Sequence, residues 1–303
     1  MFRQSVKFVL QSLSTININM KILVTGHEGF IGRNMMAWLH QEEGWQVDGY
    51  EWHPTDRPDV SGYDWVIHLG AITDVGFRDV DTIMKQNLEF SQWLFRECNA
   101  AGVHLQYASS SDVYGNTKDF SELAPCYPQD AIAWSKYLFD RWVFQQPLSV
   151  FVQGFRYFNV YGRYMHQHAQ RANESNIINR WRTEAATAGH LTVPHNAEHI
   201  KRDWVWVGDV CRLHMDFIKS VHGSGIWNVG SGLTHSLLDI AEEIADQQEV
   251  QIVTAGLSTN SSPSNPTAGL STVPLKVCAD LTHLKQTIGK RKWLNLFEFL
   301  EQR

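Results

Sequence analysis

Short apolar runs alternate with stretches of helical periodicity along the first half of the chain. The runs that predict β-strands span 22–25, 46–51, 65–69, 105–108 and 149–155. Apolar residues at helical spacing predict helices over 30–40, 81–99 and 131–145. Strands that alternate with helices favour a parallel sheet covered on both faces, so we predict a doubly wound α/β fold.

Two segments depart from this alternation. Only about a dozen residues, rich in Pro and Asp, separate the second and third predicted strands. Because a helical crossover needs more chain, we expect the helix that usually lies there to be missing or reduced. From residue 163 to 201 the sequence is rich in His, Arg and Asn and has no clear strand pattern.

Helical patterns return near the C-terminus. Residues 231–248 predict a helix opened by Ser236, and 292–302 predict an amphipathic final helix. Between them the sequence Thr-Ala-Gly-Leu-Ser-Thr occurs at 254–259 and again at 267–272, in a Ser-, Asn- and Pro-rich context that predicts a flexible loop. We therefore predict a main domain over 20–165, to which 203–230 return, and a smaller C-terminal lobe of 166–202 and 231–303 that binds the substrate.

Residues 1–19 fit this organisation poorly. They contain Arg3, Lys7, several serines and no acid, which weakly resembles a transit peptide. The alternatives are a disordered leader and an artefact of an upstream start. We expect one of these alternatives, because Met20 directly precedes the first predicted strand.

Composition excludes several classes of partner. The chain has 303 residues, of which 43% are hydrophobic, so it can bury a full core. Its 26 basic and 32 acidic residues give a net charge of −6, which argues against nucleic acid. The absence of a run of about 18 apolar residues argues against a membrane span. The four cysteines stand apart, which predicts no metal site and favours a reducing, cytoplasmic location.

A glycine-rich loop follows the first predicted strand. Gly26 permits a tight turn, Gly29 lets the backbone approach a pyrophosphate, and Gly32 allows close packing of helix on strand. Phe30 and Ile31 open the helix, whose free N–H groups favour an anion. This strand–turn–helix context predicts a Rossmann-type dinucleotide site.

Further candidates for the cofactor site follow the second and third strands. Glu51 is placed to accept hydrogen bonds from the ribose of NAD, although it could equally be a solvated acid at a strand end. Arg57 lies nearby and would suit a 2′-phosphate, so NADP stays possible. We expect Leu69, Gly70 and Ala71 to lie beside the cofactor.

Several motifs together resemble the extended short-chain dehydrogenase/reductase family, which comprises nucleotide-sugar epimerases, dehydratases and reductases. The resemblance covers about residues 20–303. The motifs are Thr-Gly-His-Glu-Gly-Phe-Ile-Gly at 25–32, His-Leu-Gly-Ala at 68–71, Asn87, Tyr-Ala-Ser-Ser-Ser-Asp-Val-Tyr-Gly at 107–115, Trp-Ser-Lys at 134–136, Gly-Phe-Arg-Tyr-Phe-Asn-Val-Tyr-Gly at 154–162 and Lys-Arg-Asp-Trp-Val-Trp-Val-Gly-Asp at 201–209. The last two, with Ala-Asp-Leu at 279–281, are most similar to the family's ADP-heptose 6-epimerase branch.

The resemblance implies hydride transfer between a nucleotide-sugar and NAD, with a tyrosinate as the base. It implies that Ser110 binds the reacting oxygen, and that Lys136 lowers the pKa of the tyrosine and holds the cofactor. Asn87 and Val160 are implied as further cofactor contacts. The tyrosine position, four residues before Lys136, is occupied by Ile132, which cannot transfer a proton.

Other residues are open as proton carriers. Tyr137 follows the lysine but lies about 100° around the helix. The nearby imidazoles and guanidinium are His166, His168 and Arg171, and other phenols that could reach the site are Tyr114, Tyr157, Tyr161 and Tyr164. Three hypotheses follow: an active epimerase with a rebuilt proton route, an inactive homologue that binds NAD and a nucleotide-sugar, or a nucleotide-sugar reductase or dehydratase.

On the substrate side, the resemblance implies that Asn159 contacts the nucleotide-sugar and that Arg202 binds its diphosphate. Arg202 could instead form a structural ion pair with Asp203 or Asp209. The resemblance also implies a homodimer joined through the helices at 81–99 and 131–145. Its aromatic candidates are Trp93, Phe95, Tyr137 and Trp142, which would equally suit a core.

Overall fold

The apolar runs of the first half form one parallel sheet. The computed structural model describes residues 19–74, 76–165, 177–220, 222–255 and 274–301. The strands are β1 (Met20–Thr25), β2 (Trp45–Tyr50), β3 (Trp65–His68), β4 (His104–Ser110), β5 (Val152–Tyr157) and β9 (Gly225–Val229). They lie in the order β2-β1-β3-β4-β5-β9, all parallel. Because the order reverses beside β1, a ligand crevice is expected where β1 and β3 end.

Helices cover both faces of this sheet. They are α1 (Phe30–Leu39), α2 (Val80–Ile83), α3 (Phe90–Ala101), α4 (Ala131–Val143) and α6 (Val207–Lys219). Buried residues of α1 and α6 belong to one apolar cluster, and those of α3 and α4 belong to another. This arrangement confirms the predicted doubly wound α/β fold.

The connection between β2 and β3 contains no helix, as its length predicted. The helix predicted over 81–99 is instead interrupted. A π-helical turn, Met84–Glu89, separates α2 from α3. Such turns insert an extra residue into a helix and often occur at functional sites, and here the turn carries Asn87.

The rest of the chain forms a lobe with its own apolar cluster. Strand β8 (Lys201–Trp206) pairs with β6 (Asn159–Tyr161), β10 (Thr234–Ser236) and β12 (Lys276–Val277), while β7 (His190–Val193) pairs with β11 (Gln251–Thr254). The helices are α5 (Ile177–Ala188), α7 (Leu237–Gln248), α8 (Thr282–Ile288) and α9 (Leu296–Leu300). The domain boundaries drawn from the sequence stay a prediction.

Helix α7 begins later than the sequence pattern suggested. Ser236 accepts a hydrogen bond from the Asp239 backbone, and the Asp239 carboxylate accepts one from the Ser236 backbone. This reciprocal capping box fixes the first turn at Leu237. Helix α5 and strand β7 lie in the stretch where the sequence showed no strand pattern. Helix α9 is shorter than the predicted 292–302.

A buried carboxylate joins the lobe to the main sheet. Asp203 on β8 accepts hydrogen bonds from the backbone N–H groups of Ser231 (2.7 Å), Gly232 (2.9 Å) and Ala279 (3.0 Å). Ser231 and Gly232 follow β9, so the carboxylate fixes the lobe against the end of that strand. Among the described residues, no helix is long and apolar enough to cross a membrane.

Candidate active site

The glycine loop lies close against the loop that follows β3. Gly26 adopts a φ of 73°, and a Cβ there would lie 2.4 Å from the Gly70 backbone nitrogen. A Cβ on Gly32 would lie 2.0 Å from the Gly26 carbonyl oxygen. Neither position can hold a side chain without moving backbone, so both glycines are required by this close approach.

The start of α1 has the features of an anion site. Gly29 is the N-cap, it supplies no capping side chain, and the first turn contains no acid. The positive end of the helix and its unpaired N–H groups therefore face the crevice. Phe30 and Ile31 are half-buried against the apolar cores. These residues fit the pyrophosphate of a dinucleotide.

Glu51 lies next to this loop. Its Oε1 accepts a hydrogen bond from the Glu28 backbone N–H at 2.7 Å and lies 3.4 Å from Nδ1 of His27. The carboxylate thus makes the surroundings of the glycine loop acidic on the side of β2. Arg57 donates to the His53 carbonyl, and its guanidinium lies over the rings of Phe90 and Trp93.

Asn87 fixes the loop that carries Leu69, Gly70 and Ala71. Its Oδ1 accepts from the Ile72 N–H at 2.8 Å, and its Nδ2 donates to the Ile72 carbonyl at 2.9 Å. Nδ2 also lies 3.2 Å from Oγ of Ser135, at the start of α4. Asn87 is buried, so its contacts in the structure are positioning contacts.

Ser110 and Lys136 lie around the carboxyl end of β4. Ser110 is the last residue of that strand, and its Oγ accepts from the Asp112 N–H at 3.1 Å. The Lys136 ammonium donates to the Ala108 carbonyl at 2.8 Å. Burial lowers the pKa of Lys136 to about 8, although the nearby Asp140 favours the charged form. Lys136 therefore loses its proton more readily than an exposed lysine would.

A buried network below Lys136 was not found by sequence reasoning. The Asp140 carboxylate accepts from Tyr107 Oη, Ser109 Oγ and Arg156 Nε, each at 3.0 Å. The available signal was the spacing, because an acid four residues after Lys136 shares its helix face. The network fixes α4 against β4 and β5, and so positions Lys136.

Ile132 lies one turn before Lys136 and is half-buried. Its carbonyl accepts from Ser135 Oγ at 2.7 Å. Its side chain lines a pocket together with Phe77, Val80 and Ile83. The position that the family resemblance assigns to a phenol therefore contributes an apolar surface.

Three of the alternative phenols are bound inside the protein. Tyr114 donates to Asn228 Oδ1 at 2.7 Å, Tyr157 is hydrogen-bonded to His214, and Tyr161 donates to the Leu294 carbonyl at 3.1 Å. Burial raises the pKa of all three above the usual value for tyrosine. None of them is thus suited to be a base near neutral pH.

Two further tyrosines are differently placed. The ring of Tyr137 packs edge-on against Trp134. Tyr164 is half-buried, lies under the Arg163 guanidinium, and has a φ of 68° that non-glycine residues rarely adopt. The other candidates, His166, His168 and Arg171, lie outside the described residues.

On the substrate side, Asn159 begins β6 and is half-buried, while Val160 is buried. Arg202 on β8 is also buried, and its Nη1 donates to the carbonyls of Lys201 (3.0 Å) and Pro274 (3.1 Å). Asp203 and Asp209 accept hydrogen bonds elsewhere. The diphosphate role of Arg202 stays a prediction.

The described residues contain no group of three or more His, Cys, Asp or Glu side chains arranged to hold a metal ion. The glycine loop follows β1, Glu51 follows β2, Ser110 ends β4, and Lys136 donates to Ala108 of β4, so all of them lie towards the carboxyl edge of one parallel sheet. Residues 22–230 match the sequence model of one family. The chain belongs to the NAD dependent epimerase/dehydratase family.

Two curated relatives of this chain are named as epimerases. The chain is 31% identical over 257 residues to an ADP-L-glycero-D-manno-heptose-6-epimerase of Cupriavidus pinatubonensis, covering 73% of this chain and 76% of that protein. It is 35% identical over 183 residues to the enzyme of that name from Thiobacillus denitrificans, covering 58% of this chain and 54% of the relative. The second match thus spans about half of the relative's length.

Solved structures share the epimerase/dehydratase family's fold. The Helicobacter pylori ADP-L-glycero-D-manno-heptose-6-epimerase superposes with a TM-score of 0.77 at 20% identity, covering 95% of this chain and 96% of that one. A UDP-glucuronic acid 4-epimerase from Bacillus cereus, in complex with a UDP-sugar and NAD, gives 0.78 at 20% identity, covering 93% and 97%. Both likenesses confirm the fold.

Proposed function

We propose that the chain is a nucleotide-sugar epimerase that uses NAD, with NADP as a possible second cofactor, and that it resembles ADP-heptose 6-epimerase. The observation that carries the proposal is an uncapped glycine loop, Ser110 and Lys136 at the carboxyl edge of one parallel sheet in a chain of this family. The names of the relatives support an epimerase, and the family supports the cofactor. A cytoplasmic location and a homodimer belong to the same proposal.

When bound, NAD supplies a hydride acceptor, so that a sugar carbon can pass through a ketone and return with inverted configuration. The chain's own residues bind and orient the ligands. The Gly29–Phe30 helix start would hold the pyrophosphate, Glu51 would hold a ribose, and Lys136 would hold the nicotinamide side of the cofactor. Ser110 donates a hydrogen bond to the reacting oxygen, while Asn159 and Arg202 hold the nucleotide-sugar.

The proposal needs a side chain other than residue 132 to transfer the proton of the sugar hydroxyl. General acid–base catalysis contributes about 10²- to 10⁴-fold to rates of this kind. Lys136, Tyr137 and Tyr164 are the candidates among the described side chains, because burial lowers the pKa of Lys136 to about 8 and both tyrosines are only half-buried. His166 and His168 are further candidates from the sequence.

One observation favours a second function, that of a binding protein without catalysis. Ile132 faces apolar neighbours, and the hydroxyls of Tyr114, Tyr157 and Tyr161 are bound elsewhere. With no proton carrier in reach, the same crevice would hold NAD and a nucleotide-sugar and leave both unchanged.

A turnover assay separates the two functions. Purified chain with NAD is incubated with a panel of ADP-, GDP- and UDP-sugars, and the stereochemistry of each sugar is followed by NMR. The proposed function predicts inversion at one carbon of at least one sugar. Binding of both ligands by calorimetry, without inversion of any sugar, would establish the binding-protein alternative instead.

A further inference from the structure

One face of helix α1 connects the glycine loop to the C-terminal lobe. Phe30, Asn34 and Trp38 are spaced four residues apart, so they lie on the same face of the helix. Phe30 packs against the apolar cluster of the lobe as well as that of the main sheet. The ring of Trp38 lies edge-on to the ring of Trp206 on β8, with 6.2 Å between their centroids. The helix that begins at the candidate cofactor site therefore also contacts the lobe.

Asn34 is the polar residue of this face, and it is buried. Its Nδ2 donates to the Phe30 carbonyl at 2.9 Å and to the Arg163 carbonyl at 2.7 Å. Asparagine is a poor residue for a helix interior, and a buried amide is costly unless it is hydrogen-bonded. The bond to Arg163, 129 residues later in the chain, therefore gives a physical reason for an amide at this position.

The backbone that Asn34 holds leads directly from the candidate substrate residue Asn159. Strand β6 begins at Asn159 and pairs with β8, and Arg163 follows two residues after the strand ends. Met165, two residues further on, is buried in the apolar cluster of the lobe. The segment from 159 to 165 is thus held by β8, by the lobe core and by α1. Of these three, only the bond from Asn34 connects it to the helix that begins at the glycine loop by a polar contact to its backbone.

We propose that Asn34 is a positioning residue for the nucleotide-sugar site. By fixing the Arg163 backbone to the cofactor helix, Asn34 sets where the amide of Asn159 lies relative to a bound dinucleotide. The inference rests on the proposed function, and it adds to that function a residue that acts through Arg163 and contacts neither ligand. Misplacement of a positioning group by about 1 Å can cost about 100-fold in activity, so a single bond of this kind has a measurable effect.

The main variant removes the bond to Arg163 and keeps the one within the helix. In Asn34→Ser, the hydroxyl can still donate to the carbonyl four residues earlier, which is that of Phe30, but it is too short to reach Arg163. Asn34→Ala, with the best helix-forming residue, is the second variant and keeps the test valid if Asn34→Ser does not fold.

Two controls separate positioning from stability. Gln41 is exposed just after α1, and its Nε2 donates to the Ala37 carbonyl at 2.9 Å, so Gln41→Ser makes a similar exchange far from Arg163. Ile244 is fully buried in the lobe. Ile244→Val therefore destabilises the lobe without touching α1 or the segment from 159 to 165.

The measurement is calorimetric binding to the full chain, under conditions in which circular dichroism shows each variant to be folded. NAD is titrated first. The wild type saturated with NAD is then titrated with ADP-, GDP- and UDP-glucose, and the one that binds most tightly is used for every variant. We expect the nucleotide-sugar to bind about tenfold more weakly to Asn34→Ser and Asn34→Ala, with NAD affinity within about twofold of wild type, because only the sugar site loses its positioning contact. Both affinities should stay at the wild-type value in the two controls.

Each other outcome overturns the proposal. An unchanged nucleotide-sugar affinity in the Asn34 variants would show that the Arg163 bond does not position the site. An equal loss in Ile244→Val would show that the effect is one of stability alone. Equal weakening of NAD and nucleotide-sugar would show that Asn34 shapes the start of α1 instead. If the wild type binds NAD but none of the three nucleotide-sugars, the proposed function itself fails, and the role of Asn34 fails with it.

Discussion

At the scale of single residues, the buried charge of Lys136 lowers the free energy of unfolding at neutral pH. The side chain is 8% exposed, and its pKa falls from 10.5 to about 8 on burial. Below pH 8 the lysine is charged in both the folded and the unfolded state, so folding must bury the charge. Between pH 8 and 10.5 the folded state releases its proton first, and the penalty disappears as the pH rises.

We therefore expect Lys136→Met to stabilise the protein at pH 7. The shift corresponds to about 3 kcal/mol at most, from which the lost hydrogen bond to Ala108 removes about 1 kcal/mol. Urea unfolding at pH 7 and pH 10 should show the gain at pH 7 and its loss at pH 10. The exposed Lys290→Met should change little at either pH. A variant destabilised equally at both would refute this explanation.

At the same scale, we expect Glu51 to set the preference of the chain for NAD over NADP. We expect the wild-type chain to bind NAD more tightly than NADP, because the carboxylate repels a 2′-phosphate. Glu51→Gln removes the charge, so the preference should shrink by about tenfold, the effect of a surface charge pair of 1–2 kcal/mol. Fluorescence titration with both cofactors measures it, with the exposed neighbour Glu28→Gln as control. Equal wild-type affinities would contradict the assignment.

At the scale of elements, Asn87 joins the β3 loop, the π-helical turn and α4. Asn87→Ala leaves the N–H and carbonyl of Ile72 without these partners, so we expect a loss of about 1–3 kcal/mol of unfolding free energy and weaker NAD binding. Asn99→Ala removes similar bonds to Ser149 at the surface, where water replaces them. It should cost less and spare the affinity. Equal losses in the two variants would show that Asn87 has no special role.

The elements also show which features a sequence can predict. Strands β1 to β5 and helices α1 and α4 were predicted because their apolar periodicity is local. The π-helical turn was not predicted. Its residue Asn87 is bonded to Ile72, 15 residues away, and such a contact is not visible in local periodicity. The Asp140–Arg156 pair and the apolar pocket were missed for the same reason. Both arise only when separate elements pack together.

At the scale of the whole molecule, the outer face of α4 is a candidate dimer surface. Trp134 and Leu138 lie one turn apart and are 43% and 38% exposed. Phe95, one of the aromatic residues considered for this surface, is buried in the core. Sedimentation equilibrium should give a dimer for the wild type and a monomer for Leu138→Lys. Val253→Lys, a comparable exposed site, should stay dimeric, and a monomeric wild type would rule out the homodimer.

The whole molecule thus contains a parallel sheet with a glycine loop at its carboxyl edge and a lobe joined to that sheet through Asp203. It also contains Ile132 at the position where the family resemblance predicts a tyrosine. A phenol at 132 would project into the adjoining pocket of about 250 Å³.

The central claim is that the site is that of an epimerase and lacks a proton carrier at position 132. The most direct test compares the epimerisation rates of the wild type and Ile132→Tyr on a nucleotide-sugar that both bind with NAD. We predict that the variant inverts the sugar at least about 100-fold faster, the usual contribution of a general acid or base. A variant that binds both ligands as the wild type does, yet is no faster, would show that the site lacks more than one phenol.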